Sequence, residues 1–270
     1  MLNSLKRYIV VATNRACVDV FVDRNELHAG GESLNFCGNI CKYPHIDPYL
    51  VAAVGKDEYG KAVLDSMKPY NLNTDYVHIL DGVTANNIIH HTSDGDRYML
   101  PGSWTGGLCD KKVLGADDIA LLNRCDVVHS ALHTPILFDL FNLRKKAGFV
   151  LAVDFNDYRQ FDEWLSFVDN IDLFFISGND EVIETLRPWS LKFNTVFIIT
   201  LAEKGSVALY KGEEIRCDAV PTPNVVDTTG AGDSYQAGFI AEYCLSRDIK
   251  KSMEEGSRCA SANIQHLGGF

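Results

Sequence analysis

Residues 225–239 read "VVDTTGAGDSYQAGF", and how this stretch folds decides what surrounds it. Val225 and Val226 belong to an extended run, whereas Ala237, Ile240, Ala241 and Cys244 recur at helical spacing, so Gly230 and Gly232 fall at a strand-to-helix junction. The first N–H groups of a helix have no acceptor inside it and the helix dipole favours negative charge there, so such a junction can hold an anion. Glycines let the backbone approach that anion with no side chain in the way. Asp233 is the odd member, because a carboxylate beside a phosphate costs electrostatic energy. As a base it has a purpose: it could take the proton from a hydroxyl that attacks a phosphoryl group. Taken alone, the stretch is also compatible with a plain glycine turn and an acidic residue in a first helical turn, so the rest of the chain has to arbitrate.

The chain has 270 residues, 46% of them hydrophobic and 23% charged, enough for a substantial core and far from the composition of a disordered protein. Against 25 Lys plus Arg stand 36 Asp plus Glu, a net charge of −11. That balance disfavours nucleic acid and anionic membranes as partners and favours a small molecule, with room for a local basic pocket. The apolar run after Lys6 and Arg7 is short and broken by Asn14 and Arg15, which fits a buried first strand better than a signal peptide or membrane span. The eight cysteines are scattered without metal-type spacing, only Cys37 and Cys41 lying close, so buried thiols and a cytoplasmic location are expected.

Short β-rich runs recur, among them "RYIVVAT", "YLVAAVG", "FVLAVDF", "DLFFIS" and "TVFIITL", and several lack period-2 alternation, as strands buried on both faces of a parallel sheet do. Helical segments lie between them. In "DEYGKAVLDSMKPYN" Tyr59, Val63, Met67 and Tyr70 share a face, and "TPILFDLFNLRKKAG" ends in basic residues with Gly148 as a stop. The alternation predicts an α/β protein with helices on both faces of a mostly parallel central sheet. Two stretches, about 17–29 and 84–100, break it and read as polar-faced strands with turns between them, including Ser93-Asp94-Gly95-Asp96. They predict a small β lid on a single domain spanning 1–270.

With these elements in place, "DTTGAGD" (Asp227 to Asp233) resembles the C-terminal signature D-T-x-G-A-G-D of the ribokinase-like, or pfkB, carbohydrate kinases. Other segments resemble that family's motifs in order: "GGESLN" with Gly30, Gly31 and Asn35, "VGKDEYG" with Gly55, Asp57 and Gly60, "DFNDYR" with Asp154, Asn156 and Arg159, and "TLAEKGS" from Thr200 to Ser206. The resemblance implies a three-layer α/β/α sandwich with a β lid, and transfer of the ATP γ-phosphate to a sugar hydroxyl. It makes Asp233 the base and the Gly230–Ala231–Gly232 backbone the anion hole. It assigns Asp19, Gly30, Gly31, Asn35, Arg97, Asp154 and Arg159 to the acceptor, and Thr200, Gly205 and Thr228 to the nucleotide. Asp227 and Thr229 are expected to shape a monovalent-cation (K⁺) or phosphate-loop environment. Plainer structural roles compete at each position: a turn at Gly30–Gly31 and at Gly205, an exposed strand residue at Asp19, a solvated arginine at 97 and 159, a cap at Asp227.

One departure stands out. The family's N-x-x-E pair, which organises Mg²⁺ and phosphates, aligns Glu181 with the family's acid but puts Gly178 where Asn is expected, with Asn179 one position away. Glu181 is expected to reach Mg²⁺ through water, since that ion keeps several waters of its own.

Within the family, "DGVTANN", "DVVHSALH" and "IQHLGGF" look most like the fructoselysine 6-kinase branch, which would make the acceptor a ketosamine phosphorylated at C6. Asp19, Asp23 and Glu26 would suit an acceptor with a lysine-like cation, or form the solvated face of the lid. Ribose, fructose, a sugar acid or a nucleoside stay open as acceptors, as does a non-catalytic sugar or nucleotide sensor. A nicotinamide enzyme ranks last, because "VATNRACVD" follows the first strand where G-x-G-x-x-G is required. The lid strands would leave an edge and a face uncovered, so a homodimer through the lid is expected.

Overall fold

A computed structural model describes residues 6–91 and 97–270. Nine strands form the main sheet: β1 (Tyr8–Asn14), β4 (Ile46–Gly55), β5 (Val77–Leu80), β8 (Val127–Ala131), β9 (Val150–Asp154), β10 (Leu173–Ser177), β11 (Val196–Thr200), β12 (Ser206–Tyr210) and β13 (Glu213–Cys217). Their order is β13-β12-β11-β10-β9-β8-β1-β4-β5, parallel from β5 to β11 and antiparallel at β12 and β13.

Consecutive residues of the central strands point to opposite faces, and both faces are covered. Val10, Ala12, Phe175 and Ile198 join one core with helices α1 (Glu32–Ile40), α2 (Glu58–Met67), α6 (Ala231–Ser246) and α7 (Ile249–Asn263). Val11, Phe174, Ile176 and Phe197 join the other with α3 (Ala116–Leu122), α4 (Leu137–Ala147) and α5 (Asp180–Lys192). That is why these strands read as unbroken apolar runs, and the result is the three-layer α/β/α sandwich.

Helix α6 is buried nearly all round, and it lies against α7 at glycine contacts. A Cβ on Gly238 would stand 2.8 Å from the Glu255 carbonyl oxygen, and one on Gly256 2.9 Å from that of Tyr235. Gly148 ends α4 in the left-handed conformation, as the sequence predicts. Helix α2 departs from the expected face: it stops at Met67, a 3₁₀ turn carries Pro69, and Tyr70 is left 41% exposed. All eight cysteines are free thiols.

Chain order runs outward in both directions from the β1–β8 pair, which makes their carboxyl ends the switch point where open α/β sheets bind ligands. Thr13 Oγ donates to Ser130 Oγ across that pair at 2.9 Å. Above it sits a second sheet, β3-β2-β6-β7, built from β2 (Cys17–Phe21), β3 (Glu26–Gly30), β6 (Asn86–His91) and β7 (Arg97–Met99). The turn expected at Ser93–Asp96 lies outside the described residues.

The lid is fastened at its base by Asp57, the N-cap of α2. Its carboxylate accepts from Gly60 N at 2.8 Å, Thr84 N at 2.8 Å and Thr84 Oγ at 2.6 Å. Only glycine fits at 55 and 60, since a Cβ would meet the Gly82 and Gly55 carbonyl oxygens at 2.3 and 2.1 Å. The "VGKDEYG" motif is therefore a structural staple between β4, α2 and the lid strand that follows Thr84.

Candidate active site

Three neighbouring parallel strands end on Asp154, Ser177 and Thr200, and these residues floor a cavity of about 200 Å³. Its opposite wall is the first turn of α6 with Thr228 before it. Gly230 adopts φ 69° and packs on Gly269, where a Cβ would stand 2.6 Å from the Gly269 Cα. Asp227 builds the turn: Oδ1 accepts from Thr229 N at 2.9 Å and Thr229 Oγ at 2.7 Å, while Oδ2 accepts from Gly268 N at 2.9 Å. Ala231 N donates to Thr228 O at 3.2 Å, which leaves the next two amides, Gly232 and Asp233, as first-turn donors without intrahelical acceptors. A Cβ on Gly232 would meet nothing within 4 Å, so the backbone is bare on that side. This cradle suits a phosphate.

A second cavity, about 310 Å³, opens between the lid and the same loop. The lid supplies Asp19, Arg24, Glu26, His28 and Gly30, and the core supplies Asn35, Thr228 and Gly268–Gly269. Gly31 needs its φ of 97° to start α1, and a Cβ there would stand 2.9 Å from the Arg15 carbonyl oxygen.

Asp233 stands where the cavities meet. It belongs to the wall of the smaller one, and its Oδ2 accepts from Asn35 Nδ2, on the wall of the larger, at 2.9 Å. Burial first, then the charges of Asp154 and Glu32, push its carboxyl well above the usual range, against the Asn35 hydrogen bond. Glu32 on the cavity wall is pushed up to about 7 by burial and Asp154, against the pull of Arg15, whose Nε is 3.7 Å away, and of Asn156. Asp154 is buried, and its Oδ1 accepts from Asn156 N at 2.8 Å.

The structure thus brings together Asp233, Gly230, Ala231, Gly232, Asp154, Thr200 and Thr228 around one cavity, and Asp19, Gly30, Asn35, Asp227 and Thr229 around the other. Gly31, Arg159 and Gly205 line neither cavity. Arg159 is exposed and donates to the carbonyl oxygens of Tyr158 and Ser177 at 3.0 and 2.8 Å, bracing the end of β10. Gly205 closes the β11–β12 turn, where a Cβ would stand 2.0 Å from the Cys217 carbonyl oxygen. Arg97 opens β7, and its side chain lies outside what the structure describes.

Glu181 is exposed in the first turn of α5 and lines neither cavity. Asn179 does not stand in for the missing asparagine, because it caps α5 through Val182 N at 3.2 Å. Position 178 has no room for one, since a Cβ there would lie 2.7 Å from Ile199 Cγ2. Among the described residues no group of three or more His, Cys, Asp or Glu could hold a metal.

Sequence reasoning missed Glu32, Gln236 and the Gly268–Gly269 segment as wall residues. All three lie in segments that the sequence already singles out, but only the tertiary fold shows what they face.

Comparison with known proteins agrees with this architecture. Residues 6–269 match the pfkB family carbohydrate kinases, and the chain belongs to that family. It is a sugar kinase. It is 31% identical over 263 residues to the fructoselysine 6-kinase of Escherichia coli, covering 94% of this chain and 96% of that protein. It is 24% identical to a fructosamine kinase of Bacillus subtilis, over 97% of this chain and 92% of the relative. Among solved structures it resembles Arabidopsis thaliana ribokinase complexed with ribose and ATP, with a TM-score of 0.82, 20% identity, and coverage of 97% and 94% of the two chains. No helix among the described residues is long and apolar enough to cross a membrane.

Proposed function

We propose that this chain transfers the γ-phosphate of ATP to the C6 hydroxyl of fructoselysine or a related ketosamine. The observation that carries this reading is the Asn35–Asp233 hydrogen bond, which sets a buried carboxylate at the doorway between a cavity suited to phosphate and a lid-covered cavity suited to a polyol. Asp233 accepts the proton of the acceptor hydroxyl as its oxygen attacks phosphorus. The Gly232 and Asp233 amides, at the positive end of α6, hold charge on the phosphoryl oxygens. The lid excludes water that would otherwise take the phosphate.

For the acceptor, the lid cavity carries Arg24 beside Asp19 and Glu26, a wall with both signs of charge. That pairing suits an amino-acid-derived ketosamine, whose carboxylate and ammonium groups need opposite partners. The names of the relatives from Escherichia coli and Bacillus subtilis point the same way.

Mg²⁺ bound with the phosphates of ATP would supply charge neutralisation there, and Asp154 and Glu32 on the cavity wall would meet its waters, whereas Glu181 is exposed and lines neither cavity. K⁺ near Asp227 and Thr229 is the remaining cofactor of this reading. Val22, Leu27, Leu100 and Trp104, on and beside the lid, are each at least 40% exposed, which supports a homodimer in which lids cover each other.

The test is acceptor-dependent ADP release from Mg-ATP, across fructoselysine, other ketosamines, fructose, ribose, a keto sugar acid and adenosine. Turnover is expected with a ketosamine, and Asp233→Asn should lower it by about 10²- to 10⁴-fold while ATP affinity changes little. Equal turnover in the variant would remove Asp233 from its role. Turnover with adenosine or ribose alone would reassign the acceptor.

A further inference from the structure

One polar side chain on the phosphate-side cavity has no part in the reaction described above. Gln236 lies three residues after Asp233, one turn along α6 on the same face, and it is only 4% exposed while lining the cavity. Its Oε1 is engaged by His129 Nε2 at 2.7 Å. In this arrangement the amide oxygen accepts and the ring donates from Nε2, the tautomer favoured because a proton on Nδ1 would be buried with no acceptor. The imidazole is locked in place: it stacks on Phe36 with 4.1 Å between centroids and 3° between planes. Burial pushes its pKa down, so it stays neutral. With Oε1 fixed, what Gln236 has left to offer the cavity is its Nε2 group, two N–H donors.

We propose that Gln236 is a third donor of the phosphate cradle, binding the transferring phosphoryl group through Nε2, and that His129 is the positioning residue that holds the amide this way round. This inference rests on the kinase reading and deepens it. The cavity wall is acidic, with Glu32, Asp154 and Asp233 around it, so a phosphoryl group needs every donor available there. A neutral amide supplies two without a cation that would hold Asp233 ionised and blunt it as a base. His129 could not do the same directly, since it lies behind Gln236. A free glutamine would present oxygen or nitrogen with similar ease, and a wrongly turned amide would aim a lone pair at the phosphate.

The measurement is the affinity of the full chain for Mg-ADP and for Mg-β,γ-imido-ATP, which carries a γ-phosphate that cannot be transferred. In Gln236→Leu the imido nucleotide should bind roughly ten- to a hundredfold more weakly, the effect of losing a hydrogen bond to a charged group, with ADP changed less than about twofold. His129→Phe keeps the stacking ring and removes the N–H; it should show a smaller loss of the same selective kind, with no further loss in the double variant. If Gln236→Leu does not fold, Gln236→Glu keeps the length and the His129 contact but replaces the donors with oxygen, and it must weaken the imido nucleotide selectively. Unchanged affinity, or equal weakening of both nucleotides, overturns the proposal and leaves the kinase reading standing. A wild-type protein that binds neither nucleotide overturns both.

Discussion

At the scale of single residues, the site is governed by three carboxylates that share one small cavity, and their mutual repulsion makes it sensitive to pH. Glu32 titrates near 7 in the folded chain against an ordinary value of 4.5. A raised carboxyl favours the folded state while protonated, so its contribution is lost as pH rises from about 4.5 through 7. Glu32→Gln should therefore flatten the decline of stability across that window, read by urea unfolding at several pH values. Because the Glu32 charge also raises Asp233, the same variant should move the rising limb of the pH–kcat profile toward acid; a shift toward alkali would contradict the assignment of that limb to Asp233. Asp233 and its glycines were legible in the sequence because a carboxylate in a glycine-rich helix start is chemically odd. Glu32 and Gln236 were not, because a glutamate in a first helical turn and a glutamine in a helix are ordinary until the fold shows what they face.

At the scale of elements, the fold was legible wherever local chemistry and packing agree. Unbroken apolar runs became strands covered on both faces, and Gly148 ended its helix. The β4–α2 junction shows the opposite case, in which a motif that resembles part of a site is a fastening. Burial pushes the Asp57 carboxyl up, but the Thr84 hydroxyl and amide and the Gly60 amide outweigh it and leave it below the usual range. Such a depressed carboxyl stabilises the fold above its ordinary pKa, and the benefit fades as pH falls through the lowered value. Asp57→Ala should cost about 1–2 kcal/mol at neutral pH by loss of the cap and the tie to Thr84, with the deficit shrinking in acid. Denaturant titrations at pH 7 and pH 3 would show it, and a deficit that grows in acid would mean the carboxylate is not the tie. Gly178 is the converse: a residue expected to be a deficiency is a packing requirement against Ile199 and Val182.

At the scale of the whole molecule, the lid is what the sequence outlined least completely. Its two stretches were recognisable by polar faces and turns, but nothing local tells that β2 and β6, from separate stretches, pair in parallel. A lid with exposed apolar residues leads to a checkable outcome: sedimentation at tens of micromolar (roughly) should give a dimer, and Leu27→Glu or Val22→Glu should shift it toward monomer. A wild-type monomer at that concentration would remove the lid interface. The contact between Asn35 and Asp233 spans 198 positions, and Gly230 rests on Gly269. Neither cavity can exist in a chain that has collapsed only locally, because each needs an early segment and the α6 loop at once, and the larger also needs Gly268 and Gly269. A site assembled from segments so far apart in sequence exists only once the scaffold is complete, so nucleotide capture reads out complete folding.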